Sequence, residues 1–568
     1  MTTLPRESPS ETDSLVEEAS KHTLALNPLV GLCGRDFYDA AATIFSAAIS
    51  NPEVVAEQWL AFIGELGKVA SGKASRTLKP GDKRFNDPAW KSSPFHKALL
   101  QTYLAWGDAL NTFVEKIDLD GQEKARAKLI SQIFVDALAP TNGLVSNPAA
   151  LKRLVDTGGQ SLWSGVKNYI DDLINNGGMP SQVDATPFEL GKNIATTPGA
   201  VVFRNEILEL IQYNPVTPEV WQRPLVMTPP QINKYYSLDL SPEKSMIRFL
   251  LSQGVQVFCL SWRNPTAEHR DWGLDTYIRA VDVAIDTARR ITGSVDVSLM
   301  GACSGGITSS AYVGWQACKG ERKVKNLVLA VCTLDPSTVD DTVLGALITP
   351  AAVEVARQAS QLRGVLDGRE LAKVFAWMRP NDLIWSYWVN NYLLGNAPPA
   401  FDILFWNSDT TSLPARLHSD FLDLIYTNPF RNAGALRISG IPIDMRRVDL
   451  DAYVSAGMTD HITPWKSVYQ TARILGDQTT FVLSNAGHLQ SLLNPPGNPK
   501  ATFMTGSASW PDADVFFANA EKKPGSWWTH WSEWLSTRSG AKVAAPARLG
   551  SADFPPGTPA PGTYVFNQ

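Results

Sequence analysis

At 568 residues, with 44% apolar and 19% charged side chains, the chain has the composition of a globular protein of roughly two to four structural units, which excludes a disordered or collagen-like polymer. Lys and Arg number 51 against 56 Asp and Glu, and the formal charge of −5 removes the attraction that general binding to nucleic acid or an anionic membrane requires. The five cysteines, Cys33, Cys259, Cys303, Cys318 and Cys332, are odd in number and form no CxxC pair, so neither a disulfide framework nor a zinc site is indicated and a reducing cytosol fits best.

The first residues, MTTLPRESPSETDSLVEE, are acidic and lack the basic start and apolar run of a secretory signal. No later stretch approaches the ~18 uninterrupted apolar residues of a membrane span, so no transmembrane segment is expected. Residues 1 to about 195 read as a mainly helical domain, with apolar spacing near the helical period over Phe37–Leu66, Ala98–Val114 and Lys128–Ala139. The turn-rich breaks Thr77–Trp90 and Asn175–Gln182 carry no nucleophile–base pair and no metal-ligand spacing.

From about Gly199 short β-branched runs alternate with helical stretches, the signature of a parallel sheet covered by helices, and residues 196–568 are read as an α/β catalytic domain. A hairpin over Ala200–Pro215 precedes strand candidates Leu225–Thr228, Val255–Trp262, Val295–Met300, Leu327–Thr333, Val448–Ala456 and Thr480–Ser484. Residues 335 to 442 are too long for an ordinary βα connection of about 2–6 residues and are read as an inserted cap. Its aromatics, Phe375, Trp377, Trp385, Tyr387, Trp388, Phe401, Phe405 and Trp406, either form a lid over an apolar cavity or pack the insertion on the core. Downstream, Trp527, Trp531 and Trp534 recur at helical spacing as a core face, and a Pro-rich tail over residues 544–568 should run extended, with its end docked.

Chemistry concentrates in VDVSLMGACSGGITSSAYVGWQA, a strand, a tight turn and a helix in which Gly301-Ala302-Cys303-Ser304-Gly305 reads G-x-C-x-G. This is a nucleophile elbow with cysteine in place of serine. Side chains at the flanking positions would collide with the neighbouring strand and helix, so both are glycine. The helix beginning at Ser304 aims its positive end at Cys303, which favours negative charge on the sulfur. Such an elbow requires an acid on the loop after a later strand and then a histidine after the last one, and Asp460 in YVSAGMTDHITPW and His488 in FVLSNAGHLQS occupy those places. Cys303, Asp460 and His488 are therefore the expected triad. Asp335 is the competing acid, and His461, His418, His269 and His530 are the competing bases; His22 and His96 fall in the helical half.

The oxyanion hole of this architecture takes the amide after the nucleophile, Ser304, and one from the loop after an early strand, VMTPPQINKYYSLDL. Pro229 and Pro230 have no N–H, which leaves Gln231 or Ile232 as the second donor. No GxxxxGK[ST], HExxH or EF-hand pattern occurs, so no metal or nucleotide cofactor is implied. A thiol at the elbow suits an acyl group that arrives on sulfur: thioester exchange is nearly energy-neutral, whereas a serine ester would forfeit the driving force for transfer to another alcohol. Spacing alone thus reaches a cysteine acyltransferase or thioesterase.

The motifs RFNDPAW, NNGGMPSQ, PPQINKYYSLDLSPEKS, SWRNP, GACSGG, FAWMRPNDLIWSYWVNNYLLGN, DILFWNSDTT, TDHITPW, SNAGHLQSLLNPPGNPKA and PGTYV, spread over nearly the whole chain, resemble the polyhydroxyalkanoate synthases, specifically the medium-chain class II type of the α/β-hydrolase superfamily. The resemblance implies polymerisation of (R)-3-hydroxyacyl-CoA into polyester with release of CoA. It further implies a soluble cytoplasmic enzyme at the surface of its own product granule, a homodimer, with granule-associated proteins as family-level partners. It makes Cys303 the covalent nucleophile, His488 its base, and Asp460 either the acid that orients His488 or the group that activates the incoming 3-hydroxyl. Cys332, Ala486 and Gln490, beside this machinery, are candidate acyl-pocket residues. Class II relatives commonly have Ser where this chain has Cys332 and Ala486, so the chain-length preference stays open. A cysteine thioesterase or polyester depolymerase of the same fold is the competing expectation, and a granule-coating scaffold with a vestigial triad is a third.

Overall fold

The computed structural model describes residues 34–79, 82–336, 350–378, 380–460 and 462–567. Cys33, His22 and the opening acidic segment fall outside them. The helical part comprises Gly34–Ser50, Pro52–Ala70, Pro94–Lys116, Gly121–Ala137, Pro148–Asp156 and Gln160–Asn175. The periodic stretch Phe37–Leu66 is divided at Asn51, because Pro52 starts a new helix in its first turn, where a missing N–H costs nothing. The turn-rich segment after Thr77 does more than connect: Phe85 and Trp90 pack with Leu100, Tyr103, Val135 and Ala139 as a small separate core.

Ten strands form one sheet: β1 (Gly199–Arg204), β2 (Leu208–Tyr213), β3 (Leu225–Thr228), β4 (Val257–Trp262), β5 (Val297–Ala302), β6 (Val324–Ala330), β7 (Asp451–Gly457), β8 (Thr480–Ser484), β9 (Thr502–Ser507) and β10 (Glu521–Pro524), in the spatial order β1-β2-β4-β3-β5-β6-β7-β8-β9-β10. From β4 to β8 every pairing is parallel, and β1/β2, β2/β4, β8/β9 and β9/β10 are antiparallel. The order 1-2-4-3-5-6-7-8 is that of an α/β-hydrolase. Strands β3, β4 and β5 are buried along their whole length, as strands covered on both faces must be.

Two strands escape the sequence pattern. β8 is not the sheet's end, since β9 and β10 extend it; TFMTGS contains a Gly and alternates only weakly, and EKKP is an exposed charged edge. β6 also stops at Ala330 rather than Thr333, because Val331 turns into the left-handed region at φ 46° and takes Cys332 out of the strand.

Between β6 and β7 the chain leaves the sheet to form the insertion, with helices Pro350–Arg363, Gly368–Met378, Asp402–Ser408 and Ala415–Thr427 and two π-helical segments, Asn381–Trp385 and Trp388–Leu393. Residues 337–349 and 379 of this span lie outside the described residues, as does the side chain of Phe375. The N-terminal helices pack on this insertion. Asn168 Nδ2 donates to the carbonyls of Asn391 and Asn396 at 2.9 and 3.0 Å, Tyr392 Oη donates to buried Asp172 at 2.7 Å, and Arg84 reaches Asn381 Oδ1 at 2.8 Å. The insertion's aromatics are largely spent on packing: Trp388 and Tyr392 sit edge-on to Tyr169, and the Trp388 indole N–H donates to Asn142 O.

The helix Trp527–Ser536 buries Trp527, Trp528 and Trp531 completely, while Trp534 is partly exposed. The Pro-rich tail runs antiparallel beside β1, with Val201 N–H donating to Thr558 O and Ala560 N–H to Gly199 O. It ends against the buried carboxylate of Glu209, which accepts from the Thr563 and Tyr564 N–H groups at 2.8 and 3.0 Å and from Thr563 Oγ1 at 2.7 Å.

Candidate active site

Cys303 sits between β5 and the helix Ser304–Lys319 with φ 48° and ψ −121°, conformational strain of about 1–3 kcal/mol for a residue bearing a Cβ. The turn is held by Cys303 N–H donating to Ala330 O at 3.0 Å on neighbouring β6. Its glycines have steric causes. A Cβ on Gly301 would lie 2.6 Å from the Gly306 Cα, and one on Gly305 would run into the carbonyls of Thr228 and Pro229 at the end of β3. Gly306, outside the G-x-C-x-G pattern, faces Cys332 Sγ at 2.7 Å from its would-be Cβ. Strain therefore concentrates at the carboxyl edge of two adjacent strands, at Cys303 and at Val331.

The partners arrive on the loops after β7 and β8. These parallel neighbours pair Gly457 with Ser484, and beyond the pairing Met458 N–H donates to Ser484 O at 2.8 Å and Thr459 N–H to Ala486 O at 3.2 Å. Adjacent strands thus bring residues 28 positions apart into contact: His488 Nδ1 lies 2.7 Å from Asp460 Oδ2. The Cys303 side chain neighbours the same imidazole closely enough to help hold it protonated. All three side chains are buried, with Cys303 the most exposed at 8%.

Asp460 has no spare acceptor sites. Oδ1 takes the Ile462 and Thr463 N–H groups at 2.8 and 3.0 Å, and Oδ2 takes Thr463 Oγ1 at 2.7 Å as well as the imidazole. Thr463, whose hydroxyl also lies 3.2 Å from His488 Nδ1, joins this cluster although it is not among the residues the sequence singles out. Its signal was present as Asp-x-x-Thr, the pattern in which an aspartate side chain closes its own turn.

Burial by itself would push the His488 imidazolium down and the Asp460 carboxyl up. The opposite charge and hydrogen bond that each offers the other, with the Cys303 contact adding to His488, reverse both: His488 rises from its ordinary 6.5 to about 10, and Asp460 falls below 3.8. The stabilisation from a raised histidine is fully present below its unfolded value of 6.5 and is lost as pH rises through about 10; that from a depressed carboxylate is present above 3.8 and is lost as pH falls through its folded value. Denaturant melts of the protein and of Asp460→Asn across pH should therefore differ most between pH 3.8 and 6.5, with the gap narrowing toward both extremes.

The loop after β3 lies against the first turn of the helix that follows Cys303. Gln231 N–H donates to Ser304 Oγ at 3.3 Å, Ser304 Oγ donates to Gln231 Oε1 at 2.9 Å, and Gln231 Nε2 donates to Thr308 Oγ1 at 2.8 Å. The Gln231 amide is therefore engaged, whereas the Ile232 N–H makes no hydrogen bond among the described residues. The Ser304 N–H belongs to the first turn, where helix amides have no intrahelical acceptor.

The remaining candidates divide by place. Cys332 is buried beside the elbow, and burial together with the neighbouring Cys303 pushes its thiol well up, so it stays neutral. Ala486 lends its carbonyl to the Thr459 contact, and Gln490 lies half-buried on the helix His488–Leu492. Asp335 is buried, but its carboxylate is engaged by Arg431 and by Asn428 Nδ2 at 2.8 Å, at the far end of the insertion. His418 in the insertion contacts Ser360 Oγ at 2.9 Å and is pushed down to about 4 by burial and by Arg357; His269 accepts from Thr266 N–H, and His530 meets Tyr453 Oη. His461 lies outside the described residues. Among the described residues no group of three or more His, Cys, Asp or Glu is placed to hold a metal ion, and no helix is long and apolar enough to cross a membrane.

Comparison with known proteins extends this geometry. Residues 81–250 match the family described as "Poly-beta-hydroxybutyrate polymerase (PhaC) N-terminus", and residues 224–495 match "alpha/beta hydrolase fold". Poly(3-hydroxyalkanoate) polymerase 1 of Ectopseudomonas oleovorans is 50% identical over 556 residues, 98% of this chain and 99% of its own. The chain belongs to the poly(3-hydroxyalkanoate) polymerase family. Polymerase 2 of the same organism is 47% identical over 95% of this chain and 96% of its own, and the Cupriavidus necator polymerase subunit PhaC is 38% identical over 88% and 85%. The resemblance carried by the motifs holds, class II included, and the chain is an acyltransferase.

Proposed function

We propose that this chain polymerises (R)-3-hydroxyacyl-CoA into polyester through acyl groups carried on Cys303. The observation that supports it most is the contiguous Cys303–His488–Asp460 array at the carboxyl edge of the sheet, in a chain whose relatives are named poly(3-hydroxyalkanoate) polymerases. His488 takes the thiol proton as Cys303 Sγ attacks the substrate thioester carbonyl; the bond to the CoA sulfur breaks, and CoA leaves with that proton. A 3-hydroxyl then attacks the Cys303 thioester, its proton passes to His488, an ester bond forms and the thiol is restored. The Ser304 and Ile232 amides would receive the oxyanion in both steps. Asp460, with both oxygens occupied, orients His488 and stabilises its imidazolium, a role its burial favours over contact with an incoming hydroxyl.

In this reading residues 196–568 are the catalytic unit, residues 335–442 its cap, and residues 1–195 a helical unit braced on that cap. Cys332, Ala486 and Gln490 border the acyl site. The enzyme works at the surface of its own product granule in the cytoplasm, as a homodimer and beside granule-associated proteins. Incubating the purified protein with (R)-3-hydroxyacyl-CoA tests the reaction: release of CoA matched by insoluble polyester is the expected result, and CoA release matched by free 3-hydroxy acid would establish hydrolysis instead.

A further inference from the structure

Lys234 lies three residues beyond Gln231 and is 3% exposed, a burial that is expensive for an ammonium. Its Nζ donates to Val565 O at 2.9 Å and to Asn567 O, while the Asp409 carboxylate stands off at 3.9 Å. The charge is thus held chiefly by two peptide carbonyls that come from the other end of the chain. Those carbonyls are themselves fixed, because the preceding Thr563 and Tyr564 amides close on Glu209 in β2. From the opposite side the insertion grips the same loop: the Trp406 indole N–H donates to Lys234 O at 2.8 Å, Thr411 Oγ1 to Gln231 O at 2.7 Å and Tyr236 Oη to Asp409 at 2.8 Å. The loop opens with two prolines that supply no N–H of their own, so its path depends on these outside anchors.

We propose that Lys234 is a positioning residue: its buried ammonium, stapled to the carbonyls of residues 565 and 567, sets the loop after β3 so that the Ile232 amide faces the acyl oxygen at Cys303. This rests on the reading of Cys303 as the acyl-carrying nucleophile. Lys234 touches no reacting atom. It acts on the oxyanion donor, so its loss should slow acyl transfer without disturbing the thiol–imidazole contact.

The test compares two reactions of the same sulfur in the full chain. Acylation of Cys303 by (R)-3-hydroxyacyl-CoA, followed by CoA release, needs the oxyanion donor; alkylation by iodoacetamide needs only the thiol and His488. Lys234→Met, which removes the charge while keeping much of the side-chain volume, should lower acylation and kcat by about tenfold or more, against the 10²–10³ expected for outright loss of a donor, with KM and alkylation within about twofold of wild type. Lys234→Arg should recover part of the rate. Acylation unchanged in Lys234→Met, or alkylation falling in step with it, would overturn the proposal. Should Lys234→Met not fold, Lys234→Gln, which removes the charge but keeps a donor for the same carbonyls, is expected to show the same split at about threefold and decides by the same criteria. A wild-type protein that forms no acyl-Cys303 would overturn the reading of function and this proposal together, whereas wild-type acylation matched by Lys234→Met overturns this proposal alone.

Discussion

Cys303→Ala is expected to abolish polymer formation, lowering turnover by about 10⁴-fold or more, while leaving the melting temperature near that of wild type. Every step proposed for this site passes through the sulfur, so no partial pathway survives its removal. The fold has little reason to notice. Alanine keeps the Cβ that already tolerates φ 48°, and the turn is held by a backbone bond to Ala330 O that the substitution does not touch. Cys303→Ser sharpens the result. A hydroxyl in the same place can still accept an acyl group, but it holds it as an ester, from which transfer to another alcohol gains almost nothing. Slow CoA release without chain growth is therefore expected of the serine variant. Assaying CoA release and precipitated polyester side by side checks both, and polymer made by Cys303→Ala would remove cysteine from the mechanism.

Asp460→Asn should cost about 10³–10⁴ in turnover, and the stage at which the loss appears distinguishes its two possible roles. If Asp460 orients His488, the amide presents a donor or a weaker acceptor to Nδ1, the ring loses its hold on the proton, and the first acylation of Cys303 slows as much as chain growth does. If Asp460 instead activates the incoming hydroxyl, acylation by the first substrate stays fast and only elongation fails. Rapid-quench measurement of first-turnover CoA release, set against steady-state polymer yield, separates these outcomes. Four hydrogen bonds close both carboxylate oxygens against anything but the imidazole and its own turn, so the loss is expected in the first turnover.

How much of this was legible beforehand depends on the range of the interactions. The elbow could be read because its requirements are local: a strand, a residue forced to positive φ, and glycines where backbone passes within contact distance. Asp460 and His488 could be read because parallel strands place the loops that follow them on one edge, so chain order predicts neighbourhood. The edge strands β9 and β10 could not, since an antiparallel edge with charged or Gly-containing residues carries almost no hydrophobic period. Which of the Gln231 and Ile232 amides is left without a partner was likewise closed to the sequence, because it turns on whether the Ser304 hydroxyl lies within reach of one of them.

The residues by themselves determined the class of fold, the identity of the elbow and the family, because periodicity, tight turns and long motifs are written in consecutive positions. Only the tertiary structure decided that the N-terminal helices brace the insertion, that Glu209 and Lys234 are both closed by the last few residues, and that Asp460 has no acceptor left for substrate. Each of these joins groups distant in the chain through buried polar contacts, and the cost of leaving a desolvated charge or amide unpaired, which selects such contacts, depends on a burial that no local pattern reports.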